Sequence, residues 1–260
     1  KTVDWRNKSL EPGLSKNTDF SVSFHQDKLG LLTAGYFQKE IDGLIYSSGS
    51  RLFFEEDADD IDLASMYYKY RIMDYKLNNP NTVDLQGWEV DYQTRLWYLP
   101  GVLSGLVLNA NYTVASSKVQ YPRTVIEGYF DWDLFVYVEN NIDSTYTDKL
   151  IDQPNEIINV SIGYDYKGFS GRLSMLHNDN VLVATNFWPE LRQNTDAYRR
   201  WDLSLKQSLP VDGLEMFLNA SNLTEAVDVS RYRGVTSKGD NLKLEQYYGR
   251  TIDFGFRYAF

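Results

Sequence analysis

Apolar and polar residues alternate along this chain in runs of about ten, and no other feature restricts its fold as strongly. Between residues 88 and 95, Trp, Val and Tyr stand at even positions, whereas Glu, Asp, Gln and Arg stand at odd ones. Because side chains alternate across a strand, such a run has one apolar face and one polar face. The helical repeat of about 3.6 residues is almost absent. The sequence therefore predicts an all-β protein.

Nine runs have the length of a strand, and the links between them fall into two classes. The strands are predicted at residues 17–26, 31–41, 86–99, 105–118, 156–166, 169–178, 198–209, 214–223 and 247–260. Tight turns containing Gly, Pro or Asp join them at residues 27–30, 100–104, 167–168 and 210–213. The other links are long and cover residues 42–85, 119–155, 179–197 and 224–246. Since short and long links alternate strictly, all long links leave the sheet on the same side.

This asymmetry is typical of a transmembrane antiparallel β-barrel of the bacterial outer membrane, where short periplasmic turns alternate with long extracellular loops. Charged residues on the polar faces, such as Glu89, Arg95 and Lys206, favour the same architecture. They would be costly in a closed sandwich core but are ordinary in a wet or plugged lumen. A soluble β-sandwich or propeller is the alternative. The chain has no run of about 18 apolar residues, which excludes a helical membrane protein.

Composition and motifs exclude several functions. With 36 acidic and 26 basic residues, the formal charge of −10 leaves no basic patch for phosphates, so nucleic acid is not expected as a partner. There is no cysteine, and His25 and His177 lack metal-ligand spacing. The acidic run from Glu55 to Asp62 lacks the glycine and glutamate of a calcium loop. We therefore expect no metal and no cofactor. Without a Gly-x-Ser-x-Gly motif, no catalytic residue is predicted, and an enzyme is only the rival class.

Four segments carry recognisable motifs. They are Leu14 to Ile45 with Lys-Glu-Ile-Asp near its end, Gly87 to Val119 with a Leu-Pro-Gly turn, Phe217 to Glu225 (FLNASNLTE), and Gln246 to Phe260 with its terminal aromatic residue. In this order they resemble the C-terminal barrel region of TonB-dependent outer-membrane receptors. The resemblance implies a barrel of about 22 strands, preceded by a plug domain and a TonB box. Residues 1–260 would be its C-terminal nine strands, without a separate second domain and incomplete before Lys1.

The resemblance also implies a function and partners. It predicts a receptor in the bacterial outer membrane that takes up a scarce nutrient, such as a ferric siderophore or an oligosaccharide. Energy would come from the inner-membrane TonB complex. The other expected partners are outer-membrane lipid, the barrel-assembly machinery and the small-molecule nutrient, with a surface lipoprotein as an optional further partner. The alternatives are a barrel that anchors surface loops for binding or assembly of partner proteins, and a passive porin.

Two long links hold the candidate ligand-binding residues. They are Asp131, Trp132 and Asp133 in the first link, and Phe187, Trp188 and Arg192 in the second. Aromatic rings can stack on sugar faces or on aromatic siderophore arms, with polar neighbours to orient the ligand. The alternative is that these rings pack the loops onto each other or lie in an interfacial girdle.

The C-terminal run is the candidate assembly signal. Its apolar side chains are Phe254, Phe256, Tyr258 and Phe260. On the family resemblance, we expect this run to be recognised by the barrel-assembly machinery. The alternative is a final strand that merely presents an apolar face to lipid.

Overall fold

The computed structural model describes residues 2–3, 7–49, 51–53, 70–72, 76–186, 188–233 and 241–259. Its strands are β1 (Thr2–Val3), β2 (Leu14–Gln26), β3 (Gly30–Asp42), β4 (Ile45–Ser47), β5 (Arg51–Phe53), β6 (Tyr70–Ile72), β7 (Lys76–Asn78), β8 (Val83–Arg95), β9 (Leu106–Asp131), β10 (Val136–Asp148), β11 (Glu156–Tyr166), β12 (Phe169–Asn178), β13 (Val181–Ala184), β14 (Gln193–Thr195), β15 (Tyr198–Ser208), β16 (Leu214–Ser221), β17 (Val227–Tyr232), β18 (Asn241–Tyr247) and β19 (Thr251–Tyr258). In the described ranges, short 3-10 helices cover Gly101–Gly105 and Pro189–Leu191. None of the described residues forms a helix that is both long and apolar enough to cross a bilayer.

One antiparallel sheet organises the chain. Nine of its strands follow one another in the order β2-β3-β8-β9-β11-β12-β15-β16-β19, and β10 pairs with β9 beside this path. Each of these nine strands overlaps one of the nine predicted strands, so the all-β fold and the up-and-down order are confirmed. Among the described pairings, β2 and β19 are the two edges of the sheet.

The tight turns are confirmed, and their backbone geometry explains their sequences. Lys167 and Gly168 both have positive φ angles, 46° and 79°, as a two-residue hairpin turn with the twist of the strands requires. At the next tight turn, Gly213 has φ +75°, and a Cβ there would lie 2.2 Å from the carbonyl oxygen of Ala259. Gly213 therefore allows the end of β19 to approach the turn closely.

The described parts of the long links contain strands, and the predicted end of the fourth strand at residue 118 is wrong. β9 continues to Asp131 and pairs along its extension with all 13 residues of β10. The other long links contain β4 to β7, β13 and β14, and β17 and β18. The segment from Val119 to Asp131 is rich in Val, Tyr, Thr and Phe, which suit strands. Pairing with β10 also satisfies backbone groups that would otherwise need water.

The register of the sheet places apolar side chains on one face, which we call the outer face. Val90 lies opposite Tyr112, and Tyr112 lies opposite Ile158 on the next strand. Although they are apolar, outer-face side chains remain open to the surroundings: Phe20 is 67% exposed and Ile162 is 50% exposed. A continuous apolar face of this size is unfavourable in water but costs nothing in lipid.

The opposite face, the inner face, is polar, and its groups bond across strands. Asn111 donates to Glu89 (3.0 Å), and Lys206 forms an ion pair with Glu215 (3.0 Å). The Arg172 guanidinium donates to the Asp165 carboxylate through its two terminal nitrogens, Nη1 at 2.8 Å and Nη2 at 2.6 Å. These pairs satisfy the charged groups of the predicted lumen lining without requiring a closed core.

We predict that Ile162→Arg destabilises the protein by about 2–4 kcal/mol, because it places a charge in the hydrocarbon near the bilayer midplane. Ser161→Arg is the matched control, since Ser161 lies on the inner face, where its hydroxyl bonds Ser174 (3.1 Å). The control should cost much less. Urea unfolding of the two variants in lipid vesicles measures the difference, and equal costs would contradict the assignment of the two faces.

Candidate ligand site in the loop layer

The long links fold over the inner face at one end of the sheet. We call this arrangement the loop layer; it comprises β4, β7, β13, β14, β17 and residues 149–155. Val83, Val119 and Tyr121 extend the inner face of β8 and β9 at this end, and Tyr46 and Leu182 from the links bury them. This buried apolar cluster attaches the loop layer to the sheet.

Tyrosines form the centre of this cluster. The ring of Tyr121 lies 5.2 Å from that of Tyr46 and 5.5 Å from that of Tyr146. The Tyr121 hydroxyl donates to the Lys149 carbonyl (3.2 Å) and accepts from the Ile151 N–H (3.2 Å). Burial raises the pKa of Tyr121 and raises the pKa of Tyr146 to about 12. Tyr121 lies on the part of β9 beyond its pairing with β8, and Tyr146 lies on β10, which pairs with that part. Both side chains stay neutral at physiological pH.

A group of charged side chains, the Asp148 hub, holds the base of the β9–β10 hairpin against the other links. Asp148 is almost buried and binds Arg192, and the Arg233 guanidinium lies 3.5 Å from the same carboxylate. The guanidinium of Arg192 also stacks on the Tyr146 ring, 4.9 Å from its centre, and donates to the Pro189 carbonyl (2.6 Å). Three separate links therefore meet at one carboxylate.

The hub gives Arg192 a structural role. Its side chain is only 16% exposed, its Nη1 binds Asp148, and its Nε donates to the Pro189 carbonyl. Trp188 is more open to solvent, and its backbone N–H donates to the Asn186 side chain (3.0 Å). Phe187 lies outside the described residues. Ligand contact by these three residues stays a prediction.

The other predicted group lies at the far end of the β9–β10 hairpin. Trp132 is 74% exposed, and Asp131 accepts hydrogen bonds from the N–H groups of Asp133 (2.9 Å) and Leu134 (3.0 Å). The ladder between these turn residues and Asp148 is about 40 Å long, at about 3.3 Å per residue. The structure therefore does not bring the Trp132 group together with Arg192.

A cavity of about 370 Å³ opens in the loop layer, a size typical of small-molecule sites. Its lining combines hydroxyl and amide groups with apolar side chains. The polar members are Ser47, Thr185, Asn186, Gln193 and Tyr232, and the apolar ones are Ile151, Val183, Ala184 and Leu191. No charged side chain is among these described lining residues. Such a surface can hydrogen-bond a neutral polar ligand and contact its apolar faces.

This cavity could not be predicted from the sequence because its walls come from all four long links. Thr185 donates a hydrogen bond to the Ser47 carbonyl, which is 138 residues away in sequence. The sequence indicated only that all these lining residues fall within predicted long links. A second cavity, of about 290 Å³, lies over the inner face and includes Asp91, Asn111 and Asp202.

Metal-binding residues do not cluster in the described ranges, where no three His, Cys, Asp or Glu side chains are arranged to hold an ion. The acidic run from Glu55 to Asp62 lies outside the described residues. The expected absence of a metal and of a cofactor therefore stays a prediction.

The chain is similar to known outer-membrane proteins. Residues 1–223 match the family model of the TonB-dependent receptor-like β-barrel. No curated protein matches the chain. Among solved structures, the pyoverdine outer membrane receptor FpvA from Pseudomonas aeruginosa PAO1 bound to pyoverdine has a TM-score of 0.55 at 12% identity, with 98% of this chain and 31% of that chain covered.

Two further solved structures have the same fold. The ferripyoverdine receptor of the outer membrane of Pseudomonas aeruginosa, bound to ferripyoverdine, has a TM-score of 0.54 at 13% identity, with 98% of this chain and 28% of that chain covered. The FpvAI-pyocin S2 complex has a TM-score of 0.55 at 12% identity, with 98% and 29% covered. The chain thus spans less than a third of these structures, and the likeness concerns the fold alone.

We predict that Asp148→Asn loosens the loop layer by about 2 kcal/mol, because Arg192 and Arg233 lose their shared negative charge. Trypsin cleavage after these arginines should become roughly 30-fold faster, since cleavage follows local opening. Asp152→Asn is the control, because Asp152 is exposed and its positive φ suits asparagine equally. Equal cleavage of the two variants would contradict a central role for Asp148.

Proposed function

Because the chain belongs to the TonB-dependent receptor-like β-barrel family, we propose that it forms part of a receptor for energy-coupled uptake of a scarce nutrient. Members of this family lie in the bacterial outer membrane, and the apolar outer face of the sheet suits contact with the lipid of that membrane. In this proposal the energy comes from the inner-membrane TonB complex. The chain carries its cargo unchanged, and we assign no catalytic step to it.

The observation that carries the proposal is the position of the uncharged cavity above the polar inner face. The loop layer closes over the same face of the sheet that Val119 and Tyr121 extend. A ligand that enters from the side of the long links would meet the loop cavity first and the inner-face cavity below it. Both cavities offer hydrogen-bonding groups, so a polar ligand would keep partners along the route.

The chemistry of the loop cavity favours a neutral oligosaccharide. Its hydroxyl and amide groups match sugar hydroxyls, and its apolar side chains match sugar ring faces. The formal charge of −10 disfavours a bare anionic ligand. A ferric siderophore is the second candidate, and the pyoverdine-bound FpvA structure supports it.

Growth of a strain that lacks the gene, on a panel of single oligosaccharides and single iron sources, tests the function. We expect growth to fail on one nutrient only, and to be restored by the gene. Loss of TonB should cause the same defect. Uptake that continues without TonB would indicate a passive porin, and normal growth on every source would indicate an anchor for surface loops.

We predict that Ala184→Phe, which occupies part of the loop cavity, weakens nutrient binding at least ten-fold, a loss of about 1.4 kcal/mol. Ala197→Phe is the matched control, since Ala197 is exposed and outside the cavity lining. Binding of the identified nutrient to the purified intact receptor measures the effect, with the folded amount checked first. Unchanged affinity in the Ala184 variant would remove the cavity from the binding site.

We also propose that the C-terminal strand is the assembly signal. Phe254, Phe256 and Tyr258 all lie exposed on the outer face of β19, and the first two rings are 5.4 Å apart. Phe260 lies outside the described residues, and its role rests on the family resemblance. A row of outward aromatic side chains on this strand would offer the assembly machinery a repeated apolar contact.

We predict that replacing Tyr258 and Phe260 with serine lowers the amount of folded receptor in the outer membrane at least five-fold. The control replaces Val160 and Ile162 with serine, which removes two lipid-facing side chains from an interior strand. Heat-modifiable mobility on gels of outer-membrane fractions reports folding. An equal loss in the two variants would mean that lipid contact, rather than recognition, explains the effect.

A further inference from the structure

The end of the β9–β10 hairpin carries the most exposed aromatic side chains of the described chain. We call residues 127–138 the hairpin tip. Trp132 and Phe135 are 74% and 77% exposed, and Tyr129, Leu134 and Tyr137 beside them are also exposed. Together the rings of Phe130, Trp132 and Phe135 present roughly 400 Å² to solvent, as large as the largest apolar patch of many monomers.

Ring packing and hydrogen bonds give the hairpin tip a defined conformation. Phe130 packs edge-on against Trp132 (4.8 Å between ring centres) and Phe135 (6.0 Å). The Asp131 carboxylate caps the turn through the N–H groups of Asp133 and Leu134. Phe135 adopts φ +55°, which is unfavourable for an aromatic residue and is held by the paired strands on either side. The rings are therefore preorganised, which lowers the entropic cost of binding.

Three kinds of binding partner suit the hairpin tip poorly. Small molecules bind concave sites, whereas the end of a two-stranded hairpin is convex. The sheet, whose apolar outer face suits lipid, lies about 40 Å away along the hairpin, and anionic lipid headgroups would repel Glu127, Asp131 and Asp133. A second copy of the tip would bring the same carboxylates together. Residues 127–138 contain no basic residue to offset them.

We propose that the hairpin tip docks into a cell-surface protein that has an apolar groove with a basic rim. The groove would receive Trp132, Leu134 and Phe135, and the rim would pair with Glu127 and Asp133. Rigid aromatic side chains entering a pocket are the usual anchors of protein interfaces, and opposite charges around them guide the encounter. This interaction goes beyond nutrient uptake and does not depend on it.

Site-specific photo-cross-linking in the native cells tests the proposal. A photoreactive residue at Trp132 or Leu134 of the intact receptor should give one discrete protein adduct. The same residue at Ser144, exposed on the same hairpin, should give none. Glu127→Lys combined with Asp133→Lys should reduce adduct yield at Trp132 at least five-fold. Asp131 is left unchanged because it caps the turn.

The protein in the adduct is then purified and its affinity for the intact receptor measured. Trp132→Ala with Leu134→Ala should weaken binding at least ten-fold, and Ser144→Ala should not change it. Heat-modifiable mobility confirms that each variant is folded. Adducts with lipopolysaccharide or with a second receptor would overturn the proposal, as would no adduct or a yield that charge reversal leaves unchanged.

Discussion

Pairing of backbone N–H and C=O groups between neighbouring strands is the constraint on which the rest of this structure depends. In hydrocarbon no water can replace a missing partner, and each unpaired group costs several kcal/mol. The seven interior strands of the nine-stranded meander meet this requirement, since each has a neighbour on both sides; they are β3, β8, β9, β11, β12, β15 and β16. Only then can side chains such as Trp88 and Ile162 remain uncovered by protein.

The register of this ladder decides what each face can do. A shift of one residue would send Glu89 and Asp91 into lipid and Trp88 and Val90 into the lumen. The same parity continues along β9, so that Val119 and Tyr121 point inward where the loop layer covers them. The apolar cluster and the Asp148 hub thus depend on the alternation that makes the outer face apolar.

The sheet could be predicted from the sequence because its signals are local. Alternation over about ten residues and turn residues such as Lys167 and Gly168 identify strands without tertiary information. The loop layer could not be predicted, because its contacts join distant segments, as between Ser47 and Thr185. Arg192 shows the limit for single residues: a cation among aromatic residues suggests a ligand contact, but the sequence does not show that Asp148 and Tyr146 contact it. Nothing in the local sequence distinguishes these two roles.

β9 is a single strand of 26 residues, about 85 Å long, that runs without interruption from the sheet to the hairpin tip. Its lower half is hydrogen-bonded to β8 and β11, and its upper half is hydrogen-bonded to β10. A pulling force on the tip would therefore reach the wall of the sheet through a continuous chain of covalent bonds, with no flexible joint between them. The hydrogen bonds between β9 and its neighbouring strands would all be loaded in shear at the same time and would resist the force together. The hairpin is therefore a mechanical extension of the wall.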